Sequence, residues 1–82
     1  MKKSVRPYKQ LIIIALDQLV EYTPATKEEF LASRVLQDAI LLQLFQVGEN
    51  LARIRDIAPQ QMESAPESWH RIIGLRNLVA HE

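Results

Sequence analysis

Residues 34–58, RVLQDAILLQLFQVGENLARIRDIA, run for 25 positions without a proline. Leu36, Ile40, Leu44, Val47, Leu51, Ile54 and Ala58 recur within them at spacings of 4, 4, 3, 4, 3 and 4. That is the period of one helical face, and at 1.5 Å per residue the seam is roughly 35 Å long. A helix of this length is the axis around which so short a chain must fold. Ser33, immediately before it, is the candidate N-cap, because its hydroxyl can accept from a free amide of the first turn. A second stripe, Leu41, Phe45, Gly48 and Ala52, lies beside the seam. Two apolar faces on one helix predict packing within its own bundle on one face and against a second chain on the other, so a homodimer is expected. A central helix wrapped by its own neighbours satisfies the pattern equally well. Gly48 lowers helix propensity by about 1 kcal/mol relative to alanine, which points to close approach of another backbone there.

The rest of the chain fits around this axis. Pro7 suits a first helical turn, and Tyr8, Ile12, Ala15, Leu19 and Tyr22 follow at spacings of 4, 3, 4 and 3, so a first helix is expected from residue 6 or 7 to 22. Pro24 ends it, because it disfavours helical geometry at Thr23 and has no N–H to donate. TKEE, residues 26–29, is a capping-box pattern that starts a short second helix over about 27–32. Pro59 and Pro66 bracket QQMESA, read as a turn or loop. The last helix starts near Pro66 or Glu67, with Trp69, Ile72, Ile73 and Val79 as its buried face and Gly74 as an interruption. Residues 1–82 therefore read as one domain, an all-α, small antiparallel helical bundle.

Composition narrows the function. The formal net charge is zero, but Lys2, Lys3, Arg6 and Lys9 concentrate four positive charges at the start, leaving six bases against ten acids in the remainder. No general basic footprint drives nonspecific nucleic-acid binding, so any RNA contact must come from a local cluster. The absence of cysteine fits a cytoplasmic, reducing compartment. The apolar run LIIIAL, residues 11–16, is too short to span a membrane and no small-residue cleavage site follows it.

No phosphate loop, nucleophilic cysteine or histidine pair at metal spacing occurs, so no cofactor or metal is expected. The terminal IIGLRNLVAHE, residues 72–82, holds the chemistry: Arg76 is a permanent cation, Asn77 an amide, and His81 titrates near neutral pH. Asn77 and His81, four apart, share a helical face. Arg76 and His81, five apart, are separated by about 140° at 100° per residue. An Arg–His site thus needs the reach of the arginine, a distortion near Gly74, or a second copy across a twofold axis. The plainer readings are that His81 answers the helix dipole, that Arg76 is a surface residue, and that Asn77 bonds locally. His70 reads as exposed and structural. Glu49 and Arg53, four apart in the favourable order, read as a helix-stabilising pair.

These stretches together resemble a known family. WHRIIGLRNLVAHE, preceded by LQDAILLQLFQVGENLARI and YTPATKEEFL, is similar to the HepT-like branch of the HEPN superfamily, over about residues 6–82. Arg76, four intervening residues and His81 match its R-x4-H signature. The bare motif is weak, and its placement after W-x-x-I-I-G-L and a GEN-bearing helix makes it specific. The resemblance implies a homodimeric, metal-independent endoribonuclease toxin, with Arg76 and His81 catalytic and Asn77 in support. It also implies a minimal nucleotidyltransferase of MntA type as antitoxin partner, which adds AMP to a tyrosine two residues after the motif histidine. That tyrosine would be residue 83, so the expectation is of a C-terminally truncated domain that also lacks a final helix. The alternative function is a noncatalytic nucleotide-binding or partner-binding subunit of such a nucleotidyltransferase.

Overall fold

The computed structural model describes residues 3–80, with side chains as far as residue 77. Its five helices are α1 (Arg6–Tyr22), α2 (Lys27–Ala32), α3 (Arg34–Ile57), α4 (Pro59–Glu63) and α5 (Glu67–Ala80). No strand occurs among the described residues, so the fold is all-α as the periodicity predicts. No helix among them is long and apolar enough to cross a membrane.

The boundaries follow from local chemistry. Pro7 lies in the first turn of α1, where its missing N–H costs nothing. At the other end, the Thr23 backbone N–H and hydroxyl both donate to the Leu19 carbonyl, at 2.9 and 2.6 Å, before Pro24 turns the chain away. Thr26 caps α2 by accepting from the Glu29 amide at 3.1 Å, and Glu28 and Glu29 place negative charge in its first turn. Ser33 caps α3 in the same way, accepting from the Leu36 amide at 3.1 Å. The Gln37 side-chain amide then donates back to the carbonyls of Phe30 and Leu31 at 3.0 and 3.2 Å. This bond satisfies the end of α2 and fixes the corner between the two helices.

Two expectations are corrected, and the turn-or-loop reading of QQMESA resolves to a turn: Pro59 starts a single helical turn, α4, whose Met62 is buried to 2% exposure. That anchor supplies the burial which an isolated five-residue helix lacks. Gly74 does not interrupt α5, which runs through it unbroken. Trp69 is not part of a buried face: it is 41% exposed, while Ile73 is buried at 3% and Ile72 is half-buried. The side chain of Val79, the fourth member of that expected face, lies outside the described residues.

The core gathers Ala15 of α1, Val47, Leu51 and Ala52 of α3, Met62 of α4 and Ile73 of α5. Helices α1 and α5 each pack on α3 and not on each other. Between them lies an apolar cleft of about 630 Å³, with Ile13 and Leu16 on one wall, Trp69 and Ile72 on the other, and Leu51 and Met62 at its floor. The second stripe of α3 is covered by its own chain at one end, where Gly48 and Ala52 are buried. At the other end Leu41 is exposed and Phe45 half-buried. Around Gly48 the stripe thus follows the second of the two expectations, a central helix wrapped by its own neighbours.

Candidate functional site

Gly48 is where α3 and α5 come closest to the candidate chemistry. A Cβ added at Gly48 would lie 2.8 Å from the Cβ of Arg76 and 2.9 Å from the carbonyl oxygen of Ile72. Real Cβ atoms do not approach this closely, so only glycine admits α5 at this depth. The close backbone approach expected from the sequence is thus present, and the segment that makes it carries Arg76.

Having passed over Gly48, the arginine reaches the next residue of α3. Its Nη1 donates to Oε1 of Glu49 at 2.8 Å, with the two side chains 23% and 35% exposed. The charge-assisted bond is short, and partial burial shields it from solvent screening. Nε of Arg76 is buried and has no hydrogen-bond partner among the described residues. A desolvated donor of this kind costs about 1–3 kcal/mol, which the ion pair must help to offset.

The expected local pair of Glu49 with Arg53 is therefore replaced by a tertiary one. Arg53 is exposed, and Glu49 is engaged by a residue 27 positions away. Sequence spacing ranks neighbours along one helix and is blind to such a partner.

Asn77 follows Arg76 by one residue, about 100° around α5. Arg76 turns toward α3 with Ile72 and Ile73, whereas Asn77 is exposed. The structure does not bring the two together on one face, and Asn77 makes no side-chain hydrogen bond among the described residues. His70 is exposed, as expected. His81, the other candidate catalytic residue, lies outside the described residues.

The site that is described is thus an arginine with a fixed stem, a fixed Nη1 and further donors, beside an exposed amide. A guanidinium so held suits a tetrahedral anion such as a phosphodiester, for which its planar fork supplies paired donors. No solved structure matches the chain. A family model described as Ribonuclease HepT-like matches residues 12–82, which takes in all of α3, α4 and α5 and the whole of the R-x4-H motif. Helices, motif and family model agree, and the chain belongs to the HepT-like ribonuclease family.

Proposed function

We propose that this protein is a metal-independent RNA endonuclease, the toxin of a toxin–antitoxin pair, working in the cytoplasm as a homodimer. Its site joins Arg76 and His81 at the dimer cleft, and its antitoxin is a minimal nucleotidyltransferase of MntA type. The observation that carries this reading is the placement of Arg76. A surface arginine has no need of a glycine beneath its stem, yet here the stem lies over Gly48 and the head is held by Glu49.

In the proposed reaction His81 accepts the proton of a ribose 2′-hydroxyl as its oxygen bonds to phosphorus, or returns a proton to the 5′-oxygen as that bond breaks. The products are a 2′,3′-cyclic phosphate and a free 5′-hydroxyl. Positioned proton transfer of this kind contributes roughly 10²- to 10⁴-fold. Arg76 holds the scissile phosphate and offsets the charge that grows on its oxygens. Asn77, one turn before His81 and on its face, orients the imidazole or bonds the phosphate. Because Arg76 and His81 are about 140° apart on a regular helix, a twofold axis is the simplest way to converge them.

The test is cleavage of a mixed RNA pool by purified protein in the presence of a chelator. The wild-type chain cleaves, and His81→Ala abolishes both cleavage and toxicity while light scattering still reads two chains per particle. Undiminished cleavage by that variant would sink the assignment.

A further inference from the structure

We infer that Glu49 is a positioning residue for Arg76, with Gly48 beside it setting the depth of the arginine against α3. The kinetic part of this inference rests on the ribonuclease reading, and the structural part stands without it. An arginine side chain has four rotatable bonds before its planar head, and each must be fixed for the fork to meet a phosphate in one orientation.

Two consecutive residues of α3 provide that restraint. Gly48 lets the first carbons of Arg76 lie against the helix, with its absent Cβ leaving room for the Cβ of Arg76 at 2.8 Å and for Cγ at 3.5 Å. Glu49 then takes Nη1 at 2.8 Å. Between these two points Nε is buried without a hydrogen-bond partner among the described residues, a cost that favours release of the head, so the Glu49 bond is what holds the head in place. The Glu49 carboxylate has Arg53 four residues further along its own helix, yet its bond is to Arg76. The other terminal nitrogen, Nη2, makes no hydrogen bond among the described residues, and its two N–H groups and the second one on Nη1 are left to meet phosphate oxygens.

Removing the carboxylate has two opposed effects on a bound phosphodiester. The fork loses its alignment, which weakens contacts made as charge develops in the transition state. A negative charge beside the phosphate also disappears, which favours ground-state binding. Turnover therefore falls while the Michaelis constant stays nearly level; a loss of folded protein gives the same split, so the folding check and the Nε–H exchange rate separate the two.

The experiment compares the wild-type chain with Glu49→Ala and Glu49→Gln, with folding checked by far-ultraviolet circular dichroism. Steady-state cleavage of single-stranded RNA is measured alongside water exchange of the Arg76 Nε–H. That signal is assigned in a ¹H–¹⁵N spectrum by its loss from Arg76→Lys. Glu49→Ala is expected to lower kcat by roughly tenfold or more with KM within about threefold, and to speed Nε–H exchange by about tenfold or more as the head comes free. Glu49→Gln, whose amide oxygen still accepts from Nη1, is expected to recover about half of the loss on a logarithmic scale and to keep exchange slow.

Slow Nε–H exchange in folded Glu49→Ala overturns the inference whatever the cleavage rate, because the arginine is then held by something else. Unchanged kcat overturns it as well, as does a glutamine variant no better than the alanine one. If the wild-type chain cleaves no RNA, the ribonuclease reading fails by itself and the exchange measurement alone decides whether Glu49 seats Arg76.

Discussion

Arg76 of α5 and Glu49 of α3 meet at 2.8 Å across 27 positions of sequence. This pair ties the last described helix to the axis of the fold at the same place where Gly48 brings the two backbones together. Packing and candidate chemistry therefore share one contact. A change that loosens α5 also moves the arginine, and a change that frees the arginine removes a tie on α5.

Gly48→Ala tests the packing half of that contact. Alanine raises helix propensity by about 1 kcal/mol, but its methyl group would sit under 3.0 Å from both Arg76 Cβ and the Ile72 carbonyl oxygen. The second of these is backbone, which cannot rotate away. Overpacking of this kind costs about 1–3 kcal/mol, so the net expectation is lower stability with α5 pushed outward. Urea titration reads the outcome, and a variant as stable as the parent or more so would show that the two helices have room to spare.

Gly74→Ala is the control on the same helix pair. Apart from its chain neighbours and its own helix backbone, no atom of the described residues lies within 4 Å of the position its Cβ would take, and α5 continues through this residue. With nothing to clash, the substitution gains helix propensity and reduces the freedom of the unfolded chain, and is expected to stabilise by about 0.5–1 kcal/mol. For a domain of this size that is a rise in Tm of a few degrees. A fall in Tm would mean that Gly74 meets a surface absent from the single chain.

The contrast between these glycines shows what could be read in advance. Both interrupt helical patterns, and propensity assigns them the same cost. The stripe Leu41, Phe45, Gly48, Ala52 marked Gly48 as lying on a packed face, so its close approach was legible. Gly74 had no such stripe, and treating it as a break was wrong because α5 is held by Ile72 and Ile73 on its other side. Caps were equally legible, since Thr26 and Ser33 act within three residues of themselves. Glu49 was not, because its favourable neighbour Arg53 is visible in sequence and its actual partner is fixed only by the crossing of two helices. The exposure of Trp69 was also hidden: an aromatic residue next to an apolar pair reads as core, and only the separation of α1 from α5 leaves it on the wall of a cleft.

Ser33→Ala probes the corner that orients the axis. The Ser33 hydroxyl satisfies the Leu36 amide, and Gln37 holds the Phe30 and Leu31 carbonyls at the end of α2. Losing an N-cap costs about 1 kcal/mol. Gln37→Ala releases the Phe30 carbonyl, part-buried like the cap, and the exposed Leu31 carbonyl, so it is expected to cost about as much as the cap, about 1 kcal/mol. Chemical denaturation of both variants and the double mutant checks this, and additivity within about 0.5 kcal/mol would show that the two bonds act separately. A Ser33→Ala protein of unaltered stability would mean that water replaces the hydroxyl without loss.

Arg76→Lys separates charge from geometry at the proposed site. Lysine keeps the positive charge and can still approach Glu49, so the α3–α5 tie is weakened and not abolished, and the fold is expected to lose about 1 kcal/mol or less. What it cannot do is hold Glu49 with one nitrogen and present another to a phosphate in a fixed plane, because its donors share a single atom. Loss of an oriented donor to developing negative charge costs roughly 10²- to 10³-fold in turnover. The expectation is therefore RNA cleavage reduced by about two orders of magnitude in a protein that remains folded, measured against the wild type at equal salt. Salt matters because part of any phosphate affinity comes from counterion release, which lysine retains. Cleavage by Arg76→Lys at the wild-type rate would show that position 76 contributes only its charge, and the planar fork would have no part in the reaction.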